Sequence, residues 1–312
     1  MKYTTSISII LILFFSFSIY TCERKPDTVK PSGSIVAWGN DDRGQVSGVP
    51  SGDDFIQVST GFRHSIALRK DGTIAAWGHD TMGQVGDTPT DNDFVSISAG
   101  YGHNLAIRQN GSLVAWGLDQ SGQVSNVPTG NDYIAVSAGF EYSMALKEDG
   151  TIVVWGGTVL EDELRDIQEG QQEEKFKAIS VNRSLLLALT ENGAIKAWGS
   201  NLSGSVEDVP TESGFTTVAA GARHGLALRK DSTIAAWGWD LRNEVSDTPD
   251  GNGFIAVNVG YTHSLALHKD GTITAWGWSR GNHGQVEDTP TGNNFIVIDA
   301  GTFHNLAIEK SD

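Results

Sequence analysis

Five histidines, His64, His103, His224, His263 and His304, each stand three residues after a glycine. Tyr142 and Leu185 take the same offset after Gly139 and Asn182. Imidazoles hold zinc when they converge on one point at ~2 Å. One imidazole per recurring unit is spread around the molecule instead, so these side chains read as buried hydrogen-bonding groups and no metal is expected. The two residues between each glycine and histidine have a different character. They are Phe62-Arg63, Tyr101-Gly102, Phe140-Glu141, Arg183-Ser184, Ala222-Arg223, Tyr261-Thr262 and Thr302-Phe303. They vary while their flanks repeat, and they are rich in aromatic residues and arginine, the composition of interface anchors. Phe62, Arg63, Tyr101, Phe140, Glu141, Arg223, Tyr261 and Phe303 are therefore candidate partner-binding residues. The alternative is that the aromatics only cover the mouth of a central channel. Trp239 and Trp278, each directly after a Trp-Gly pair and near Arg242 and Arg280-Gly281-Asn282-His283, extend the candidate surface or cap an edge.

Other chemistry is not indicated. The chain has no His-Glu-x-x-His, Gly-x-Gly-x-x-Gly or EF-hand pattern, so no enzyme and no cofactor are expected. Asp41, Asp80, Asp119 and Asp240 recur three residues after a tryptophan, one per unit, which makes no calcium cage. A single cysteine among 312 residues excludes an internal disulfide and a multi-thiolate zinc site. A net charge of −16 argues against nucleic acid as partner.

The elements that must position these residues repeat. Tryptophan precedes glycine at positions 38, 77, 116, 155, 198, 237 and 276, at spacings of 39, 39, 39, 43, 39 and 39. Each unit holds short runs rich in Val, Ile and Phe, bounded by turn residues. Asp71-Gly72, Asn110-Gly111, Asp149-Gly150, Asn192-Gly193 and Asp270-Gly271 join two such runs, which predicts type I′ hairpins. Asn182 in the place of the corner glycine predicts a positive-φ corner. Short strands in seven units predict an all-β, seven-bladed β-propeller of four-stranded blades over residues 33–312. The chain starts at the second half of a hairpin, Gly33 to Trp38, and ends at the first half, Leu306 to Lys310. The N- and C-terminal strands should pair and close the ring. The repeating tryptophans then read as core. One unit deviates: residues 157–175 lose the Gly-Gln-Val segment and the proline, and carry seven acids. Leu160, Leu164 and Ile167 there have the spacing of a short amphipathic helix.

Before the repeats, Lys2 and the apolar run Ile7–Tyr20 read as a signal peptide, residues 1–21, too short to span a bilayer. Cys22 follows directly, so the segment resembles a bacterial lipoprotein signal with Cys22 as the lipid acceptor. The other reading is an ordinary cleaved signal with an incidental thiol. Residues 22–32 read as a tether. The expected location is extracytoplasmic, in a bacterial cell envelope or secreted, with membrane contact only through that lipid.

The Ala-Trp-Gly strand, the Gly-Gln-Val segments (Gly44-Gln45-Val46, Gly83-Gln84-Val85, Gly122-Gln123-Val124, Gly284-Gln285-Val286) and the Ala-Gly-x-x-His-Ser-Leu-Ala-Leu segment resemble the regulator-of-chromosome-condensation repeat family across about residues 33–312. The resemblance implies a seven-bladed propeller. The family includes a nuclear nucleotide-exchange factor, a plant ultraviolet-B photoreceptor and secreted bacterial inhibitors of β-lactamases; the signal peptide makes this chain most similar in style to the last. Photoreception depends on tryptophans at the corner positions, and none stands there. The expectation is a monomeric propeller that engages a protein partner through one loop face. Glycan binding or hydrolysis is the alternative, with nucleotide exchange less favoured by the signal.

Overall fold

The computed structural model describes residues 30–157, 167, 174–183, 185–201, 203–278 and 283–311. The signal at 1–21, Cys22, the tether up to residue 29, Arg280 to Asn282 and most of the acidic segment 157–175 lie outside them. Within that segment Ile167 is described, helical and buried against Ala135, Met144 and Phe176.

Among the described residues 21 strands form antiparallel triples. Six span 55–78, 94–117, 133–156, 176–199, 215–238 and 254–277. The seventh joins Phe295–Ala300 and His304–Lys310 to Gly33–Gly39, which pairs along its whole length from Gly33 opposite Lys310 to Gly39 opposite His304. The two chain ends therefore complete one sheet jointly. A single further pair, Gly33 with Phe55, links this sheet to the first triple.

Among the described residues each copy has three strands, and the expected fourth is not seen. After the Trp-Gly strand, residues 42–48 run through successive turns. The cause is local. Asp41 Oδ1 accepts the backbone N–H groups of Val46 and Ser47 at 2.8 and 2.9 Å. The Gln45 amide oxygen accepts that of Arg43 at 2.8 Å. Side chains that bind nearby N–H groups compete with a strand ladder.

The core is distributed. Seven apolar clusters each lie between two neighbouring triples rather than inside one. One joins the last triple to the first through Val297, Leu306 and Ile308 against Phe55, Val58 and Trp77. The first strands of the triples touch one another in a cycle. Six of the repeating tryptophans are buried, as the sequence suggests; Trp198 is half-buried and meets the Phe176 ring edge-on at 6.0 Å.

An indole hydrogen bond, acting as a latch, accompanies six of the seven apolar clusters. The indole N–H of Trp77 donates to the Gln45 carbonyl at 2.9 Å, that of Trp116 to Gln84 at 3.2 Å, and that of Trp276 to Glu244 at 2.9 Å. The Gln84 carbonyl also accepts from Asn104 Nδ2 at 2.9 Å. Asn104 Oδ1 in turn bonds His64 Nε2 at 2.8 Å. His103, His224, His263 and His304 repeat the contact on Ser143, Ser264, Asn305 and Ser65, always in the neighbouring copy. All five rings are buried, and burial pushes His64 and His263 down to about 4 and His103, His224 and His304 down to about 3. Neutral imidazoles are thus inter-copy connectors.

Two local expectations are corrected. The hairpin at Asp71-Gly72 has a three-residue loop, not a two-residue type I′ turn. Gly72 N–H donates to Arg69 O at 3.0 Å, Arg69 N–H donates to Thr73 O at 3.0 Å, and of the Asp-Gly pair Gly72 alone has positive φ, 84°. This is a type I turn closed by one left-handed residue. Asp71 serves by side chain, accepting Thr73 N–H at 2.9 Å. The corner glycines, in turn, are set by space rather than by φ, since none has positive φ. A Cβ on Gly61 would run into the His64 ring and into the Gly100 carbonyl of the next copy, 2.6 Å away. Asn182 is tolerated in the copy where Leu185 replaces the histidine.

Two outcomes follow from the buried titratable groups. A histidine whose folded pKa is depressed adds stability above its ordinary range, near 6.5, and loses it as pH falls towards the folded value. The melting temperature should therefore drop between pH 6.5 and 4, and the ring protons of these five histidines should not titrate above pH 5 in NMR spectra. Glu244 stands where four other copies have a buried glutamine; its Oε1 has no partner among the described residues and burial pushes its carboxyl up. Glu244→Gln should raise the melting temperature at pH 7 by about 1–3 °C. The gain should vanish near pH 4, where the wild-type carboxyl is protonated folded and unfolded, as calorimetry across pH would show.

Candidate functional site

The corner dipeptides sit at one end of the triples, between first and second strands. The strand register places His64 opposite Gly78, so the residue after each Trp-Gly lies beside the second corner residue. His79 N–H donates to Arg63 O at 2.9 Å, Trp239 N–H to Arg223 O at 3.0 Å, and Trp278 N–H to Thr262 O at 2.8 Å. The two sets of candidates singled out in the sequence are therefore one surface.

Its centre is a crescent of stacked rings. Phe62 and Tyr101 have centroids 4.4 Å apart, Tyr101 and Phe140 4.1 Å, and Phe62 and Phe303 5.0 Å, in tilted or edge-on contacts of the favourable kind. Arginines lie at both ends. Arg63 stacks over Phe62 and Phe303 at 5.3 and 5.5 Å. Arg183 stacks over Phe140 at 5.4 Å and Tyr261 at 5.8 Å, and donates to the Tyr261 hydroxyl at 2.8 Å. Ala222, buried between these copies, gives no side chain for that span to cross. Alongside, Arg223 lies 5.1 Å over Trp239 and Arg242 4.5 Å over Trp278. Glu141 is half-buried at its corner, outside the stacked set. Arg183, Arg242 and His79 join the surface although the sequence reading did not select them. The strand register supplies the signal that would have placed His79.

The crescent borders a cavity of about 360 Å³, lined by Phe62, Tyr101, Phe140, Arg183 and Tyr261 above the first strands. Below the mouth is a polar belt. Ser59, Ser98, Ser137 and Ser180 each accept a backbone N–H of the next copy, at 2.9 to 3.0 Å, and Asn258 accepts that of Ala300 at 3.2 Å. Ala219 is the break in the belt. Asp299 completes it across the junction of chain ends. Its Oδ2 accepts the Thr60 N–H at 2.7 Å and the Thr60 hydroxyl, and its Oδ1 accepts Asn258 Nδ2 at 2.8 Å. Burial pushes this carboxyl up to about 6 despite those bonds. Both oxygens are committed to the scaffold, so Asp299 holds the belt together rather than offering a free base.

A buried acid with a raised pKa loses folded-state stability as pH rises from its ordinary value, near 3.8, to about 6. Asp299→Ser installs the residue that four copies already use. The variant should gain melting temperature relative to wild type as pH rises from about 4 to about 6, with a constant difference above. A difference independent of pH would contradict the assignment.

Comparison with known proteins bears on this fold. Residues 55–84, 94–123 and 254–285 match the Regulator of chromosome condensation (RCC1) repeat. No curated protein sequence matches the chain. Among solved structures, the chain is similar to Prp20p of Saccharomyces cerevisiae, described with its binding to Gsp1p and histones: 18% identity, 95% of this chain and 94% of that one, TM-score 0.72. It is also similar to human WBSCR16, at 13% identity over 90% and 99% of the two chains, TM-score 0.69. The ectodomain of the Physcomitrella patens receptor kinase CR4 matches at 21% identity over 79% and 68%, TM-score 0.64. The chain carries RCC1 repeats and has the fold of the RCC1-type β-propellers.

Proposed function

We propose that the chain is a binding propeller, its seven triples forming the blades of one closed ring, and that it engages a protein partner through the corner face. The observation that carries this reading is the sorting of residues. Side chains that recur in most copies are buried and spent on latches and belt, whereas the corner pairs, which differ from copy to copy, come together at one end as a crescent of aromatics flanked by arginines. Residues free of the framework's demands and gathered on one surface are the ones a partner can select. The yeast relative of similar fold is described as binding Gsp1p and histones, and another structure of yeast RCC1 (Prp20) holds Kap60; protein binding is thus within reach of this architecture, while the identity of a partner does not transfer. The signal-like segment and Cys22 support an extracytoplasmic, lipid-tethered monomer. The commitment of both Asp299 oxygens to Thr60 and Asn258 supports a non-enzymatic role.

The test is capture from envelope and culture fluid of the source organism. Phe62→Ala/Tyr101→Ala/Tyr261→Ala is run beside wild type, with circular dichroism showing both folded. A protein retained by wild type and lost by the triple variant is the expected result. Equal capture would move the site away from this face, and no capture would favour a glycan ligand at the channel.

A further inference from the structure

Arginines on this acidic molecule are divided by position. At the hairpin-turn end, Arg69 pairs with Asp54, Arg108 with Asp91 and Asp93, and Arg229 with Glu212. At the corner end, Arg43, Arg63, Arg183, Arg223 and Arg242 make no ion pair with any described residue, although the chain carries 38 acids. Three acids of the loops after Trp-Gly, Asp41, Asp80 and Asp240, each hold two backbone N–H groups of their own loop. Arg63 Nε is buried without a hydrogen-bond partner. Four of the five guanidinium groups lie on aromatic rings. A stacked guanidinium keeps its edge free, and that edge fits a carboxylate in a two-pronged bond.

Resting on the protein-binding reading above, we propose that the partner presents an acidic segment to this face, its carboxylates meeting Arg183, Arg223 and Arg242 while apolar side chains cover the Phe62–Tyr101–Phe140 crescent. A local acidic cluster fits better than a long polyanion. The net charge of −16 repels an extended chain of negative charge, whereas five cations on one face attract a few carboxylates at short range.

The purified protein is titrated with fluorescent oligoglutamate at low ionic strength and followed by anisotropy. Saturable binding that weakens as salt rises is expected. Arg183→Ala/Arg223→Ala/Arg242→Ala should weaken it roughly tenfold or more. Lys70→Ala/Lys230→Ala/Lys269→Ala removes equal charge from exposed positions at the other end and should leave it unchanged. Absence of saturable binding, equal loss in both variants, or tighter binding of heparin at matched charge would each overturn the proposal. In the capture experiment, a partner lost by the Phe62/Tyr101/Tyr261 variant yet kept by the arginine variant would preserve the binding face and reject its acidic chemistry.

Discussion

A sheet of three strands, each five to seven residues long, has two apolar faces and covers neither alone. That shortage governs the molecule. Leu105 and Ile107 of one copy are packed against Val136, Ala145 and Trp155 of the next. Every latch follows from the same need. The tryptophan that fills the gap must satisfy its indole N–H, and six of them do so on a carbonyl of the preceding copy. The histidine that spans the gap is compressed so closely against its corner glycine that a Cβ does not fit. Packing, hydrogen bonding and the glycine pattern are three expressions of one interface repeated between neighbouring copies.

Because that interface consumes the repeating residues, it also defines what remains. The corner positions face outward at the end of the channel and take no part in the latches. Their side chains stack on each other across copies, from Arg63 to Tyr261, which gives the face rigidity without committing its arginines. A pre-stacked surface loses little side-chain freedom when a partner arrives. The bland reading, in which aromatics cover the channel mouth, and the functional one describe the same atoms: the rings line the cavity and present their outer surface at once.

Much of this was legible in the residues. The spacing of Trp38 to Trp276 announced the copies, and the half-hairpins at Gly33 and Leu306 announced the joint sheet. The variable corner dipeptides marked the face. What failed to read out was conformation that side chains decide. Asp-Gly pairs suggested two-residue turns, but Asp71 reaches forward to Thr73 and the loop takes a third residue. Four strands per copy were expected, but after Trp38 the Asp41 and Gln45 side chains take backbone N–H groups that a further strand would need. The belt residues Ser59, Ser98, Ser137 and Ser180 were invisible as a set, because a serine in a strand gives no hint of which neighbour's N–H it will accept. Arg183 was passed over because its partner, Tyr261, lies 78 residues away and two copies distant.

Sharing one sheet between the two chain ends has a kinetic meaning. Gly33–Gly39 is synthesised before every other described strand and its partner strand His304–Lys310 after all of them, so the widest sequence separation among the described strand pairs must close before that sheet exists. Until then the first and sixth copies each expose a face that belongs against the seventh. The missing strand is identical in every molecule, and a neighbour's Gly33–Gly39 offers the same register as the chain's own. The contest between self-closure and exchange is decided by local concentration: at the end of its own chain the strand is always near, and crowding many unfinished copies together favours linked rings over single ones.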